Sequence, residues 1–531
     1  MVDVLIAGSG ASAVSAAWPL VHAGLRVLMV DIGEHDGVYT PHIPPWDFLT
    51  LRRTDPEQHR YFLGDRFEGI PLGSVRAGAQ LTPPRQHLER GSTRLFPSHT
   101  PEGFQAMEST ALGGLAAAWG AFSPPFTDEE MDGWPIGRRE LQPHYDEVTG
   151  RTGICGTDED DLRDLFGSSP GLLPPARQDR NALAIHRAYL QRRTRLHSMG
   201  FLAGHPRLAY ATRRFRGRGP ARYLDMEFYG DGDEAVWRPV YTLRELRRHS
   251  NFEYRPGVRI VSFAEDADGV EVRGEDLHGT GHFNVRARRL VLAAGALGSA
   301  RIALESLKGF DVPLPLVSNP YTYYPVIVWR RIARPVERRR HSLTQLTAFY
   351  REPGGSDWVQ AQFYSYRSLL TFKLMKESPL PHREARQLLR YWMGSFTIIG
   401  VHHPDRSHAG KTVRLDAEGT LEVSYRPGTR ETEVRRSRER GLMRCVRLLG
   451  CIPLKRIDPG PGSSLHYAGT MPMARQPGPW QLDTAGNLFG CQHVTVADGS
   501  GLPHLPAKGL TLTLMANASR IGTLLAERLR G

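Results

Sequence analysis

Cysteine is scarce. Four of the 531 residues carry a thiol (Cys155, Cys445, Cys451 and Cys491), and no two stand at a C-x-x-C spacing. That excludes a disulfide-stapled scaffold and a zinc ribbon, and no metal site is expected. Long apolar runs are missing too. No window approaches the roughly 18 consecutive apolar residues of a membrane span. The first residues lack a basic stretch, a long apolar stretch and a cleavage site, so no secretory leader is expected. The chain enters a short apolar segment, Val2 to Ala7, at once. These features predict a cytoplasmic protein with reduced thiols. No internal repeat is present. Hydrophobic residues make up 40% and charged residues 23%, which excludes a disordered, collagen-like or coiled-coil chain. The length predicts two to four structural units at roughly 150 residues each.

Charge is unbalanced. Lys and Arg number 68 against 56 Asp and Glu, a net +12. Basic runs lie at Arg330-Arg331, Arg338 to His341, and Arg383 to Arg390. One reading is a solvated arginine-rich surface, because charge alone sets solubility and steering. The other is attraction to an acidic partner: a phosphorylated or carboxylated substrate, or an acidic carrier protein. Nucleic acid is not expected, since neither zinc-finger spacing nor RNA-binding aromatic motifs occur.

What is present begins at the second residue. Val2 to Ala7 reads as a buried parallel strand, followed by Gly8-Ser9-Gly10-Ala11-Ser12-Ala13 and a helix from Val14 to Ala23. Gly24 is a helix stop, and Leu25 to Val30 is a second strand ending in Asp31. The pattern is G-x-G-x-x-A in the first turn of a βαβ unit. Gly8 permits the tight turn, and Gly10 lets the backbone approach a pyrophosphate at the helix N-terminus. Asp31, 21 residues after Gly10, is placed to accept hydrogen bonds from ribose hydroxyls. Pro19 is expected to kink the helix.

Residues 35–105 read as a long irregular excursion. The small-residue run Gly113-Gly114-Leu115-Ala116-Ala117-Ala118-Trp119-Gly120 follows. It suits either a backbone lying against a flat ligand or a tightly packed helix. Phe126 to Met131 resembles a capped helix start. A strand is expected over Asn251 to Val258. Arg289 to Leu292 is another buried strand, running into Ala293-Ala294-Gly295. Residues 321–430 alternate aromatic and β-branched positions, as in Tyr324 to Trp329, Trp358 to Tyr364 and Ser395 to Val401. This predicts an antiparallel sheet. Between the last two lies a basic amphipathic stretch, Leu369 to Trp392, with Met375. It reads as a helix covering the sheet, a lid, or a surface for a membrane or partner. A buried strand at Val494 to Val496 ends in Ala497-Asp498-Gly499, and a helix from Leu510 to Leu529 closes the chain.

Four motifs thus occur in order: G-x-G-x-x-A with its acid, GG-x-x-x-x-WG, VLAAGALGSAR, and H-x-x-G-T (from His466) followed by ADGS-x-LP. In combination they resemble the glucose-methanol-choline (GMC) oxidoreductases. The segment from Gly113 to Gly156 looks most like bacterial branches acting on sugars, polyols or cyclitols. The resemblance implies an α/β protein. It has a Rossmann-like FAD-binding domain (1–130, 245–310 and 460–531) and a second α+β substrate domain on a mostly antiparallel sheet (131–244 and 311–459). It also implies a site at their junction. Gly8, Gly10, Ala11 and Asp31 would hold the ADP part of FAD. Val258 would meet the adenine through its backbone. Gly113 and Gly114 would lie along the pyrophosphate or flavin ring. Ala294 with Gly295, and Asp498 with Gly499, would close the site. No histidine or cysteine occurs at 111–120, so noncovalent FAD is expected.

The implied chemistry is alcohol oxidation: hydride to flavin N5, hydroxyl proton to a base of near-neutral pKa. Histidine suits that role, and His466 holds the family's base position. One departure stands out. The family's second His or Asn lies eleven residues after the strand aspartate, and here that position is Gly509. Either Lys508, His504, or His402/His403 fills the role, or the substrate supplies its own polar group, or the flavin serves another reaction. Three functions follow: a dehydrogenase or oxidase of a sugar-like, aminosugar, cyclitol or secondary-metabolite alcohol; a flavin-retaining isomerase, lyase or cyclase; or an FAD-binding partner of an acidic carrier protein. Oxygen, a quinone and a cytochrome all remain open as electron acceptor.

Overall fold

The computed structural model describes residues 2–67, 82–279, 281–365 and 379–531. Its first sheet is built around strand β1, Val2–Ala7. Strand β2, Val27–Val30, pairs parallel to it on one side, and Phe283–Leu292 pairs parallel on the other. Phe252–Arg255 extends the sheet beyond β2, and Val494–Val496 joins Phe283–Leu292, both in parallel. The antiparallel strands Val258–Asp266 and Gly269–Asp276 complete it. The continuous apolar runs follow from burial on both faces.

The register places the site. Ala7 lies opposite both Val30 and Leu292, and Val496 lies opposite Leu292. The residues that follow these strand ends therefore emerge along one edge: Gly8, Asp31, Ala293-Ala294 and Ala497-Asp498. Ligands of open parallel sheets bind at the carboxyl ends of the strands. Helix α1, Ala11–His22, runs through Pro19 and packs against the last helix, Thr511–Arg530. The contact is close: a Cβ on Gly522 would stand 2.4 Å from the Ala16 carbonyl oxygen. Gly24, in the left-handed region at φ 83°, follows the helix as expected.

The second sheet is antiparallel and six-stranded, in the order Cys451–Pro453, Tyr321–Val328, Phe396–His402, Val359–Ser365, Thr344–Tyr350, Phe201–Gly204. Its apolar face shares a core with helices Arg180–Gln191 and Thr429–Leu448 through Ile185, Tyr189, Leu442 and Val446. The period-two pattern gave three of these strands, Tyr321–Val328, Val359–Ser365 and Phe396–His402, to within a few residues; Thr344–Tyr350, Cys451–Pro453 and Phe201–Gly204 were not marked by it.

Other segments differ from expectation. The run after Gly113 is a short 3-10 turn, Gly114–Ala118, rather than a packed helix. The stretch at Phe126 is capped reciprocally by Thr127 and Glu130, but only a 3-10 turn, Glu129–Met131, follows. The basic run at Arg338 to His341 is not simply solvated. Arg340 is buried and paired with Asp225 at 3.1 Å and Asp179 at 3.5 Å, and His341 is buried beside it. Of the amphipathic stretch, a helix His382–Trp392 is described; Met375 and residues 369–378 lie outside the described residues, as do 68–81 of the irregular excursion. Among the described residues no helix is long and apolar enough to cross a membrane.

Candidate active site

The edge of the parallel sheet forms a backbone cradle. Gly8 has φ 108°, and a Cβ there would stand 2.5 Å from the Ala293 carbonyl oxygen, so only glycine fits. Gly10 precedes α1 and gives it no side-chain cap, and the first turn holds no acidic residue. The N–H groups of Ala11, Ser12 and Ala13 are buried and find no acceptor among the described residues. Orphan N–H groups at a helix N-terminus attract anionic oxygens. Gly113 and Gly114, both in the left-handed region, come up against this turn. A Cβ on Gly114 would lie 3.5 Å from the Gly10 Cα. The Gly113 N–H donates to Ser9 Oγ at 2.9 Å, and the Ser9 hydroxyl donates to Asp31. Tyr254 OH donates to the other Asp31 oxygen at 2.7 Å. Burial pushes the Asp31 carboxyl up to about 6, against these two hydrogen bonds. The Val258 N–H donates to the Asp31 carbonyl at 3.0 Å, which sets Val258 beside the acid. Bare amides at a glycine turn with a carboxylate at the next strand end suit a pyrophosphate and a ribose. The residues present fit an ADP-containing cofactor.

Asp498 closes the far side through its own chain. One carboxylate oxygen accepts from Gly295 N at 2.8 Å and Ser299 Oγ at 2.5 Å; the other accepts from Ser500 N at 2.9 Å. The acid thus clamps the start of helix Gly295–Ser306 to the C-terminal turn. A Cβ on Gly499 would stand 2.7 Å from the Tyr467 carbonyl oxygen, one residue from His466.

His466 sits where two β pairings meet. Val317-Ser318 pairs antiparallel with Tyr467-Ala468, so the next cross-strand pair is Asn319 with His466. Their side chains join: Asn319 Oδ1 lies 2.9 Å from His466 Nδ1. The amide cannot turn round, because Asn319 Nδ2 donates to the carbonyls of His403 and Pro506, each at 2.8 Å. A flipped amide would set its oxygen against two carbonyls. Nδ1 of His466 must therefore carry the proton and donate, leaving the Nε2 lone pair free. Burial pushes the His466 imidazole down to about 4.

His402 comes from the end of strand Phe396–His402, opposite Tyr321. Its ring stacks on His466 with centroids 5.3 Å apart and planes 17° apart, and Tyr321 packs nearby at 4.6 Å. His402 is 7% exposed, and its Nδ1 has no hydrogen-bond partner. An unmet buried polar group costs about 1–3 kcal/mol. His403 turns to the other side of the chain, its Nε2 3.1 Å from Glu439 of helix Thr429–Leu448. Glu439 also accepts from Thr322, Tyr324 and Arg456. Sequence reasoning named His402 only as one of several alternatives and missed Asn319, whose sole signal is its place across a two-residue strand pair.

Lys508 and His504 are not brought to His466 as free groups. Lys508 Nζ is fully buried and donates to Glu130 Oε2 (2.6 Å), Leu165 O (2.6 Å) and Pro125 O (3.1 Å). Those three bonds use all its protons. His504 accepts from Trp134 Nε1 at 3.2 Å and donates to the Glu130 carbonyl at 3.0 Å. Gly509 lies against Phe122: a Cβ would stand 3.3 Å from the Phe122 carbonyl oxygen and 3.4 Å from its ring. A side chain there would need Phe122 to give by a few tenths of an ångström.

Residues 457–518, which hold His466, Asp498 and Gly509, match the family model described as GMC oxidoreductase. This segment is thus similar to the C-terminal domain of the GMC oxidoreductases. Relatives of the whole chain include 6'''-hydroxyparomomycin C oxidase of Streptomyces lividus, 25% identical over 99% of this chain and 92% of that one. Paromamine 6'-oxidase of Streptomyces fradiae is also 25% identical, over 98% and 90%. Among solved structures, pyridoxine 4-oxidase from Mesorbium loti aligns with a TM-score of 0.60 over 99% of both chains at 15% identity. An FAD-dependent oxidoreductase from Chaetomium thermophilum aligns at 0.61 over 100% of both chains at 14% identity. These two show the fold. The GMC family is FAD-dependent, and the glycine turn with Asp31 fits the ADP part of that cofactor.

Proposed function

We propose that this chain is a GMC oxidoreductase that oxidises a hydroxyl of an aminosugar-containing metabolite to a carbonyl, with noncovalently bound FAD and with His466 as the base. The locked Asn319–His466 pair carries the reading, because it presents a proton-free Nε2 at the family's base position. The aminosugar class rests on the names of the two Streptomyces relatives, each similar over nearly its whole length. Both are named oxidases, which favours oxygen as electron acceptor.

Bound FAD would supply the two-electron acceptor for the carbinol hydrogen. The Ala11–Ala13 N–H groups and the Gly113-Gly114 backbone would hold its pyrophosphate, and Asp31 its ribose. His466 Nε2 takes the hydroxyl proton. Loss of that proton raises electron density on the carbinol carbon and makes it a better hydride donor. Asn319 Oδ1 accepts the hydrogen bond from Nδ1–H and stabilises the imidazolium that results. Lys508, Glu130 and His504 brace the loop carrying Gly509.

Anaerobic mixing with paromamine tests this. The yellow protein should bleach, and His466→Ala should retain FAD but lose the bleaching by about 10²-fold or more. A His466→Ala protein that bleaches at the parent rate removes His466 as base. A parent protein that paromamine, glucosamine and myo-inositol all leave yellow removes the sugar-alcohol reading.

A further inference from the structure

We infer that His402 supplies the second substrate-binding imidazole of this enzyme, in place of the group that Gly509 lacks. The inference rests on the alcohol-oxidation reading above and adds a catalytic residue to it.

The position after the C-terminal strand cannot serve. Glycine 509 has no side chain, and its backbone lies too close to Phe122 for a larger residue to enter without displacement. Its neighbours are spoken for: Lys508 has no free proton and both ring nitrogens of His504 are engaged. His403 is drawn to Glu439. His402 alone among these candidates stacks on the base, with its plane nearly parallel to that of His466. It makes no hydrogen bond among the described residues, although it is more than nine-tenths buried. Two near-parallel imidazoles side by side can address one hydroxyl oxygen from neighbouring directions. In such a pair one ring receives the proton and the other, neutral, donates its N–H to the oxygen that becomes negative. Burial together with the neighbouring His466 holds His402 neutral, so it does not compete for the proton. The electron balance is that of the parent reaction: two electrons and the carbinol hydrogen leave for FAD, the hydroxyl proton goes to His466, and His402 gains or loses nothing.

The test uses full-length holoenzyme and paromamine. His402→Phe keeps a stacked ring but removes both nitrogens; His402→Asn restores a donor. Flavin reduction should slow about 100-fold in His402→Phe and less than about tenfold in His402→Asn, with FAD content and melting temperature held. Binding gives a readout apart from turnover. On a His466→Ala background, adding His402→Phe should weaken paromamine binding about tenfold by calorimetry, whereas adding His402→Asn should not. A His402→Phe enzyme that reduces flavin and binds paromamine like its parent overturns the inference while leaving the His466 reading intact. A parent enzyme inert to every sugar alcohol overturns both.

Discussion

Asn319 Oδ1 accepts a hydrogen bond from Nδ1 of His466 across 2.9 Å, and two backbone carbonyls forbid the amide to flip. Asn319→Ala removes that lock. The imidazole should then populate both tautomers, seen as altered ¹⁵N shifts of His466. Flavin reduction should fall about 10²-fold with FAD content unchanged. Unaltered shifts would show that the ring is held by something else.

The pH profile has a defined sign. A base acts only when unprotonated, and burial pushes His466 down to about 4, so reduction should be flat from pH 8 to pH 6 and fall as pH approaches 4. A histidine of ordinary pKa would already be half lost near 6.5. Stopped-flow rates at constant ionic strength separate the two.

Stability should follow a related rule through two other histidines. Burial lowers His87 to about 4 and His341 to about 3, both below the ordinary 6.5. The unfolded chain therefore binds more protons than the native one between these values. The stabilisation they share is complete above about 6.5 and drains away as pH falls through 4 to 3. His341→Gln should flatten the melting-temperature profile in that window.

Lys508 and Glu130 form a fully enclosed ion pair. Removing one partner strands the other, at a cost of about 3–5 kcal/mol. Lys508→Met should thus melt far lower than the parent, and Lys508→Met with Glu130→Gln should recover much of the loss and keep its rate of flavin reduction. A double variant that folds but cannot reduce flavin would assign Lys508 to the chemistry.

Peroxide decides the acceptor. With paromamine and air, hydrogen peroxide should appear one for one with substrate oxidised, without added quinone or cytochrome. Turnover only with such a dye or carrier would make the protein a dehydrogenase.

The cradle was legible because glycine pattern and strand order are local. Gly8, Gly10 and Asp31 fall within one βαβ unit, and their spacing alone puts them at one sheet edge. The sheet of residues 321–402 was legible from its period of two. The corner around His466 was harder. Asn319 reaches His466 through a two-residue strand pair 147 positions apart in the chain, and no periodicity marks so short a pairing. The basic run at 338–341 misled for a similar reason. Whether Arg340 meets water or Asp179 and Asp225 depends on elements more than a hundred residues away.

The parallel sheet has a consequence for biogenesis. Strand Val494–Val496 and the Asp498 clamp follow Gly8 by nearly five hundred residues, yet both border the same sheet edge. That edge lacks its last wall until those late residues have been made. A nascent chain arrested ahead of residue 490 should therefore emerge colourless.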